Sequence, residues 1–127
     1  MLNDRIREVL IDQGRTARPI TYKELASRLG LVPPQTIHRV TQALEILMAE
    51  DVAAARPLLA TLCVSRLNKN LPGRGFFALA ETLGVFSGDP EGPEARAFHD
   101  RELQRVFTFY GRSGATAPGR AAVVDAG

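Results

Sequence analysis

Residue types that commonly build catalytic or metal sites are scarce in this chain of 127 residues. Its one cysteine, Cys63, excludes an internal disulfide and a cysteine-built zinc site. The two histidines, His38 and His99, are far apart in sequence, which argues against a metal site that they share. Neither paired carboxylates nor a Ser/His/Asp set stands at a spacing typical of catalysis. We therefore expect a protein that is not an enzyme and that binds no metal or cofactor.

Long hydrophobic runs are also lacking. No apolar stretch approaches the roughly 20 residues that a bilayer-spanning helix needs. The first residues (MLNDR) open an amphipathic segment, without the apolar run and cleavage site of a signal peptide. We therefore expect a cytoplasmic protein with no membrane partner. The composition, 45% hydrophobic and 24% charged, is typical of a globular domain.

Acidic residues are missing from one long stretch, although the net charge of the chain is only +2. Residues 1–75 hold 11 Lys/Arg against 7 Asp/Glu, whereas residues 76–127 hold 5 against 7. No acid lies between Asp51 and Glu81, and the same stretch contains four cations: Arg56, Arg66, Lys69 and Arg74. Such a basic stretch suits a polyanionic partner. The alternative interpretation is a solvated basic loop.

The first part of the chain is predicted to form two helices. Apolar residues at helical spacing indicate a helix over residues 3–13 that ends at Gly14. Residues 21–24 (TYKE) have the capping-box pattern, in which the threonine and glutamate side chains each accept a hydrogen bond from the other residue's backbone amide. This pattern predicts a second helix, which ends at Gly30 because glycine favours a left-handed cap.

A third helix is expected to begin at Pro33-Pro34 and to end near Glu50. Helical spacing predicts an inward apolar face and a polar outer face. The inward face consists of Ile37, Val40, Leu44, Leu47 and Met48, and the outer face of Gln35, His38, Arg39 and Gln42, with Ile46. Two helices joined by a short turn that contains glycine match the helix-turn-helix pattern.

The segment after the third helix is predicted to form a wing. The apolar run from Leu58 to Val64 indicates a strand. Residues 65–74 (SRLNKNLPGR) indicate a basic loop with Asn and Pro-Gly turn residues, after which the wing's second strand is expected to be short or missing. A fourth helix is expected to contain Phe76 and to end at Gly84. The predicted fold class is therefore mainly α with a small β-wing, a winged helix-turn-helix with extra C-terminal helices.

Three parts of the chain are distinguished on this basis. Residues 1–86 are predicted to be a winged-helix DNA-binding domain. Residues 87–110 are interpreted as a linker and a last helix, which either packs on that domain or mediates a homodimer through its aromatic stripe. Residues 111–127 are predicted to be a disordered tail, because they are rich in Gly, Ala and Ser and have little to bury.

Four motifs resemble one known family. Residues 20–26 (ITYKELA) and 40–44 (VTQAL) resemble the second and third helices of the C-terminal winged-helix domain of alkylguanine–DNA alkyltransferases and their alkyltransferase-like relatives. Residues 57–59 (PLL) and 73–76 (GRGF) resemble the segments before and after the reactive cysteine of that family. The resemblance covers residues 20–77. It implies a winged helix that binds DNA, with Tyr22 at the position of the tyrosine that presses on a phosphate.

Two departures limit what the resemblance implies. Where the family has Pro-Cys-His-Arg, this chain has residues 60–65 (ATLCVS), and the register places Leu62 rather than Cys63 at the nucleophile. Alkyl transfer is therefore expected to be lost, and Cys63 is interpreted as a buried core cysteine. The position of the family's recognition-helix arginine holds His38, with Arg39 beside it, which argues against base flipping.

The function predicted from these patterns is that of a non-catalytic protein that binds double-stranded DNA and regulates transcription. Base edges in the major or minor groove are expected to face the third helix, at Gln35, Thr36, His38, Arg39 and Gln42. Phosphates are expected to meet the second helix and the basic loop, at Tyr22, Lys23, Arg66, Lys69, Asn70 and Arg74. Two alternatives stay open: a winged-helix protein-interaction module, and a catalytically inactive alkyltransferase-like protein that binds damaged DNA.

Overall fold

A computed structural model describes the backbone of residues 2–116 and the side chains of residues 2–111. In this part of the chain five α-helices surround two short strands, so the predicted mainly helical class with a small β-element is confirmed. Two single 3-10 turns, Leu59–Leu62 and Arg66–Asn68, flank the second strand. In chain order the elements are α1 (Leu2–Arg15), β1 (Ile20–Thr21), α2 (Tyr22–Arg28), α3 (Thr36–Ala53), β2 (Cys63–Val64), α4 (Arg74–Thr82) and α5 (Pro93–Thr116).

One hydrophobic core receives side chains from all five helices. The long C-terminal helix α5 lies against α1 and against the 3-10 turn at Leu59–Leu62. α1 and α5 approach closely at Gly14, because a Cβ atom added there would lie 3.3 Å from Cβ of Tyr110. None of the helices in the described residues is both long and apolar enough to cross a bilayer.

The two strands form a parallel pair. Ile20 is opposite Cys63, and Thr21 is opposite Val64. The loop that follows β2 closes through a single antiparallel bridge, in which the Ser65 amide donates to the Leu71 carbonyl over 2.9 Å. A wing is an antiparallel hairpin, and this arrangement does not establish one. The winged-helix assignment therefore stays a prediction.

The predicted strand from Leu58 to Val64 is wrong for most of its length, since only Cys63 and Val64 are extended in a sheet. The segment does not extend as a strand because two amides at its start donate hydrogen bonds to buried carboxylates. The Leu58 amide donates to Glu102 over 2.8 Å, and the Leu59 amide donates to Asp51 over 3.2 Å. Because these amides point at side chains rather than at a neighbouring strand, the segment turns into a 3-10 helix.

The third helix begins at Thr36, later than the predicted start at Pro33-Pro34. A residue that precedes proline is disfavoured in the helical region, so Val32 and Pro33 stay outside the helix. Gln35 caps it in a left-handed conformation, with φ of 64°. Ile37, which was expected to face inward, is about half exposed.

The last helix runs from Pro93 to Thr116 and so extends past Tyr110, into the segment that was expected to be a tail. Residues 117–127 of that predicted tail lie outside the described residues.

Candidate nucleic-acid interface

The parallel strand pair places the start of α2 beside the start of the basic loop. Tyr22 follows β1 directly, and Ser65 follows β2 directly. Chains that leave a parallel pair emerge at the same end of it. The two segments predicted to contact phosphates therefore begin side by side.

Tyr22 joins α2 to the far end of that loop. Its hydroxyl oxygen accepts a hydrogen bond of 3.0 Å from the Gly73 amide. Its ring contributes to a small pocket with α3 residues that include Thr41 and Glu45. Burial raises the pKa of Tyr22 to about 12, and the hydrogen bond from Gly73 opposes the shift. The phenol therefore stays protonated, and its O–H group has no acceptor among the described residues.

The amino end of α2 is occupied by its own capping box. The Glu24 amide donates to the Thr21 hydroxyl over 3.1 Å, and the Thr21 amide donates to the Glu24 carboxylate over 3.0 Å. The bonds from the Thr21 amide and hydroxyl, with Arg66 nearby, hold the pKa of Glu24 below its usual value. An ionised carboxylate at this helix end disfavours a phosphate there. Of the expected α2 contacts, the exposed Lys23 and the Tyr22 hydroxyl remain.

Several hydrogen bonds fix the conformation of the loop over residues 65–74. The Asn70 amide donates to the Ser65 carbonyl over 2.9 Å, and the Asn68 side chain donates to the Pro72 carbonyl over 2.8 Å. Lys69 and Asn70 both adopt left-handed backbone conformations, with φ of 59° and 61°. The predicted phosphate ligands Arg66, Lys69 and Asn70 are therefore exposed on a well-defined turn.

Arg74, the last predicted residue of the loop, is the first residue of α4. Its guanidinium lies 3.4 Å from the carboxylate of Glu91, and both side chains are mostly exposed. Water and salt screen such a pair, so it contributes little and Arg74 stays accessible to a phosphate.

The predicted outer face of α3 is exposed at Gln35, His38, Arg39 and Gln42, and Thr36 is half-buried. Not all of these residues lie toward Tyr22. His38 precedes Glu45 by two helical turns and Gln42 precedes it by about one, so both share the side of α3 on which Tyr22 packs. Arg39 points to the opposite flank of the helix. Helical geometry thus places His38 and Gln42 closer than Arg39 to the flank of α3 that carries Glu45.

Three residues of this surface were missed from the sequence. Arg96 of α5 donates to the Lys69 carbonyl over 2.7 Å, and nothing local in the sequence indicates a partner 27 residues away. Glu45 brings a carboxylate close to the amino end of α4, since its Oε2 would lie 3.6 Å from a Cβ added at Gly75. Leu67 is fully exposed in the loop. Of these three residues, only Leu67 could have been noticed in the sequence, as an apolar residue within a polar turn.

Cys63 is buried in β2, and burial raises the pKa of its thiol. A thiol in this environment is a poor source of thiolate. Among the described residues, no three His, Cys, Asp or Glu side chains are grouped so that they could hold a metal ion.

No family model matches the chain, and neither the curated proteins nor the solved structures give a match. The resemblance to alkyltransferases therefore depends on the motifs of residues 20–77 alone.

Proposed function

We propose that this protein binds double-stranded DNA without chemical reaction, as a transcription regulator does. The observation that carries the proposal is the hydrogen bond from the Gly73 amide to the Tyr22 hydroxyl. It joins the acid-free basic loop to α2, next to the flank of α3 that presents His38 and Gln42. The proposed interface combines the loop cations with side chains of α3 that can form hydrogen bonds to bases.

The cations of this surface suit the phosphate backbone. Lys23, Arg66, Lys69 and Arg74 are exposed, and Arg96 lies close enough to bond the Lys69 carbonyl. Contacts of this kind position a protein on the duplex and make its affinity depend on salt. The free O–H of Tyr22 supplies one further donor to a phosphate oxygen.

The α3 side chains suit base edges. The amide of Gln42 can pair with adenine, and the imidazole of His38 can donate to or accept from a base. Glu45 lies on the same flank, where a carboxylate repels phosphate and can accept a hydrogen bond from the amino group of cytosine. The surface therefore favours sequence readout through a few polar side chains, with the loop setting the register.

The proposal is tested by anisotropy titration of a labelled duplex pool at two salt concentrations. The wild-type protein is expected to bind less tightly as salt rises, because bound phosphates release counterions. The triple variant Arg66→Glu, Lys69→Glu, Arg74→Glu is expected to lose measurable binding. Single variants provide a matched control. Arg66→Glu is expected to weaken binding, whereas Arg101→Glu, which alters another exposed arginine on α5, is expected to leave affinity within about twofold.

Either of two results would contradict the proposal. Wild-type protein that fails to bind at low salt, up to tens of micromolar, lacks even the usual non-specific affinity of a DNA-binding protein. Unchanged binding by the triple variant would move the interface away from the loop.

A second candidate, a protein-interaction module, is favoured by one feature away from this surface. An open groove of about 670 Å³ runs beside α5, with Val85 and Phe98 on its apolar part and Arg101 and Arg105 among its charged residues. In that case the loop cations would tolerate charge reversal, while Arg101→Glu would impair function.

A further inference from the structure

The side chain of Leu67 is more exposed to solvent than leucine side chains usually are in a folded protein. Its relative exposure is 101%, as large as in an isolated peptide, while the other exposed large apolar side chains of residues 2–111 lie between 41% and 70%. It occupies the middle of the 3-10 turn Arg66–Asn68. The side chain therefore contributes no buried surface to the folded chain and is fully available to a partner.

The turn that carries Leu67 is held firmly in place. The Asn68 and Asn70 amides both donate to the Ser65 carbonyl, over 3.1 and 2.9 Å. The left-handed conformation of Lys69, a residue with a Cβ atom, costs free energy that the surrounding hydrogen bonds must offset. A side chain presented in this way loses little backbone entropy when a partner binds it.

Cations flank this leucine on the exposed turn. Arg66 precedes it directly and Lys69 follows two residues later, and both are exposed. Because this segment is a 3-10 turn, its backbone rises by only about 6 Å from Arg66 to Lys69, which is comparable with the width of the minor groove of DNA. With the two cations on phosphates at the rims of this groove, the fully exposed side chain of Leu67 is the apolar group available to the base pairs.

Given the DNA-binding function proposed above, on which this step rests, we propose that Leu67 is an apolar wedge that enters a groove and partly unstacks one base step. Apolar side chains inserted in this way kink the duplex, and flexible pyrimidine–purine steps accept them at the lowest cost. Part of the sequence preference would then arise from deformability of the DNA rather than from base contacts.

The test uses the full-length protein and duplexes that carry 2-aminopurine at a pyrimidine–purine step. Wild-type protein is expected to raise the 2-aminopurine fluorescence, which reports unstacking. Leu67→Gln keeps the length of the side chain but not its apolar character. It is expected to abolish the rise and to weaken affinity about tenfold, the scale of burying one leucine, with the slope of log affinity against log salt unchanged. Leu67→Met keeps the apolar character and is expected to preserve both signals.

Controls distinguish the wedge proposal from the DNA-binding function on which it rests. Val85→Gln alters a partly exposed apolar residue in the connection between α4 and α5, and it is expected to bind as the wild type does. Steep salt dependence in the wild type together with unchanged affinity and fluorescence in Leu67→Gln would overturn the wedge and leave DNA binding intact. Leu67-dependent binding to anionic lipid vesicles in the absence of duplex binding would overturn both.

Discussion

Replacing Asp51 with asparagine removes the charge from a carboxylate that is completely buried. Oδ1 of this carboxylate accepts hydrogen bonds from Arg7 over 2.8 Å and from Arg56 over 3.0 Å. Oδ2 accepts the Leu59 amide over 3.2 Å. The carboxylate thereby connects α1, the carboxyl end of α3 and the segment that leads to β2.

The expected loss of stability is smaller than that of a fully enclosed ion pair. Breaking a buried pair by removing one partner costs about 3–5 kcal/mol. Here the side chains of Arg7 and Arg56 are 20% and 37% exposed, so water compensates part of the loss. The amide oxygen of asparagine can still accept from both arginines, but its NH2 group then faces the Leu59 amide, which loses its acceptor. We therefore expect Asp51→Asn to lower the free energy of unfolding by about 2–3 kcal/mol.

Urea unfolding at pH 7, followed by circular dichroism, measures this change, provided that the m-value stays constant. Glu50→Gln is the matched control. Glu50 also bonds Arg7, over 2.7 Å, but its side chain is half-exposed. Its loss is expected to cost less than about 1 kcal/mol. A decrease below about 0.5 kcal/mol for Asp51→Asn would refute the idea that this carboxylate anchors the segment.

Two further substitutions test single groups. Tyr22→Phe leaves the Gly73 amide without its acceptor. We therefore expect urea unfolding to show a free energy of unfolding about 1 kcal/mol lower, and anisotropy to show weaker duplex binding. Unchanged affinity would restrict Tyr22 to a structural role. Burial lowers the pKa of His99 below its usual 6.5, whereas Asp100 opposes this shift and Arg96 adds to it. The unfolded chain then binds more protons, so stability is full above pH 6.5 and falls as the pH decreases through the folded pKa. His99→Gln should flatten this decrease between pH 7 and 5, and an unaltered pH profile would show that another group causes it.

Features that depend on neighbouring residues were predictable from the sequence. The capping box at residues 21–24 forms as expected, because its donors and acceptors are three residues apart. Periodicity also predicts the buried face of α3 at Val40, Leu44, Leu47 and Met48. Ile37 fails this rule because it lies in the first turn of the helix, where the core no longer covers the inward face.

Features that depend on distant partners were not predictable. The apolar segment at residues 58–62 predicts a strand, yet its first two amides donate hydrogen bonds to carboxylates 44 and 8 residues away. No local pattern reveals Asp51 and Glu102 as buried acceptors. For the same reason the sequence identifies the loop cations and Tyr22 separately but not the bond from Gly73, 51 residues away, that unites them.

The departure from the expected strand is also what assembles the candidate interface. A long strand from Leu58 to Val64 would favour an antiparallel hairpin, with the loop as a wing that projects from its end. Because the buried carboxylates turn the first part into a 3-10 helix, only Cys63 and Val64 remain to pair, and they pair in parallel with β1. The chain after β2 then leaves in the same direction as the chain after β1. The loop consequently begins beside α2 and is held by Tyr22, so the position of the cations depends on core carboxylates that lie outside the candidate interface.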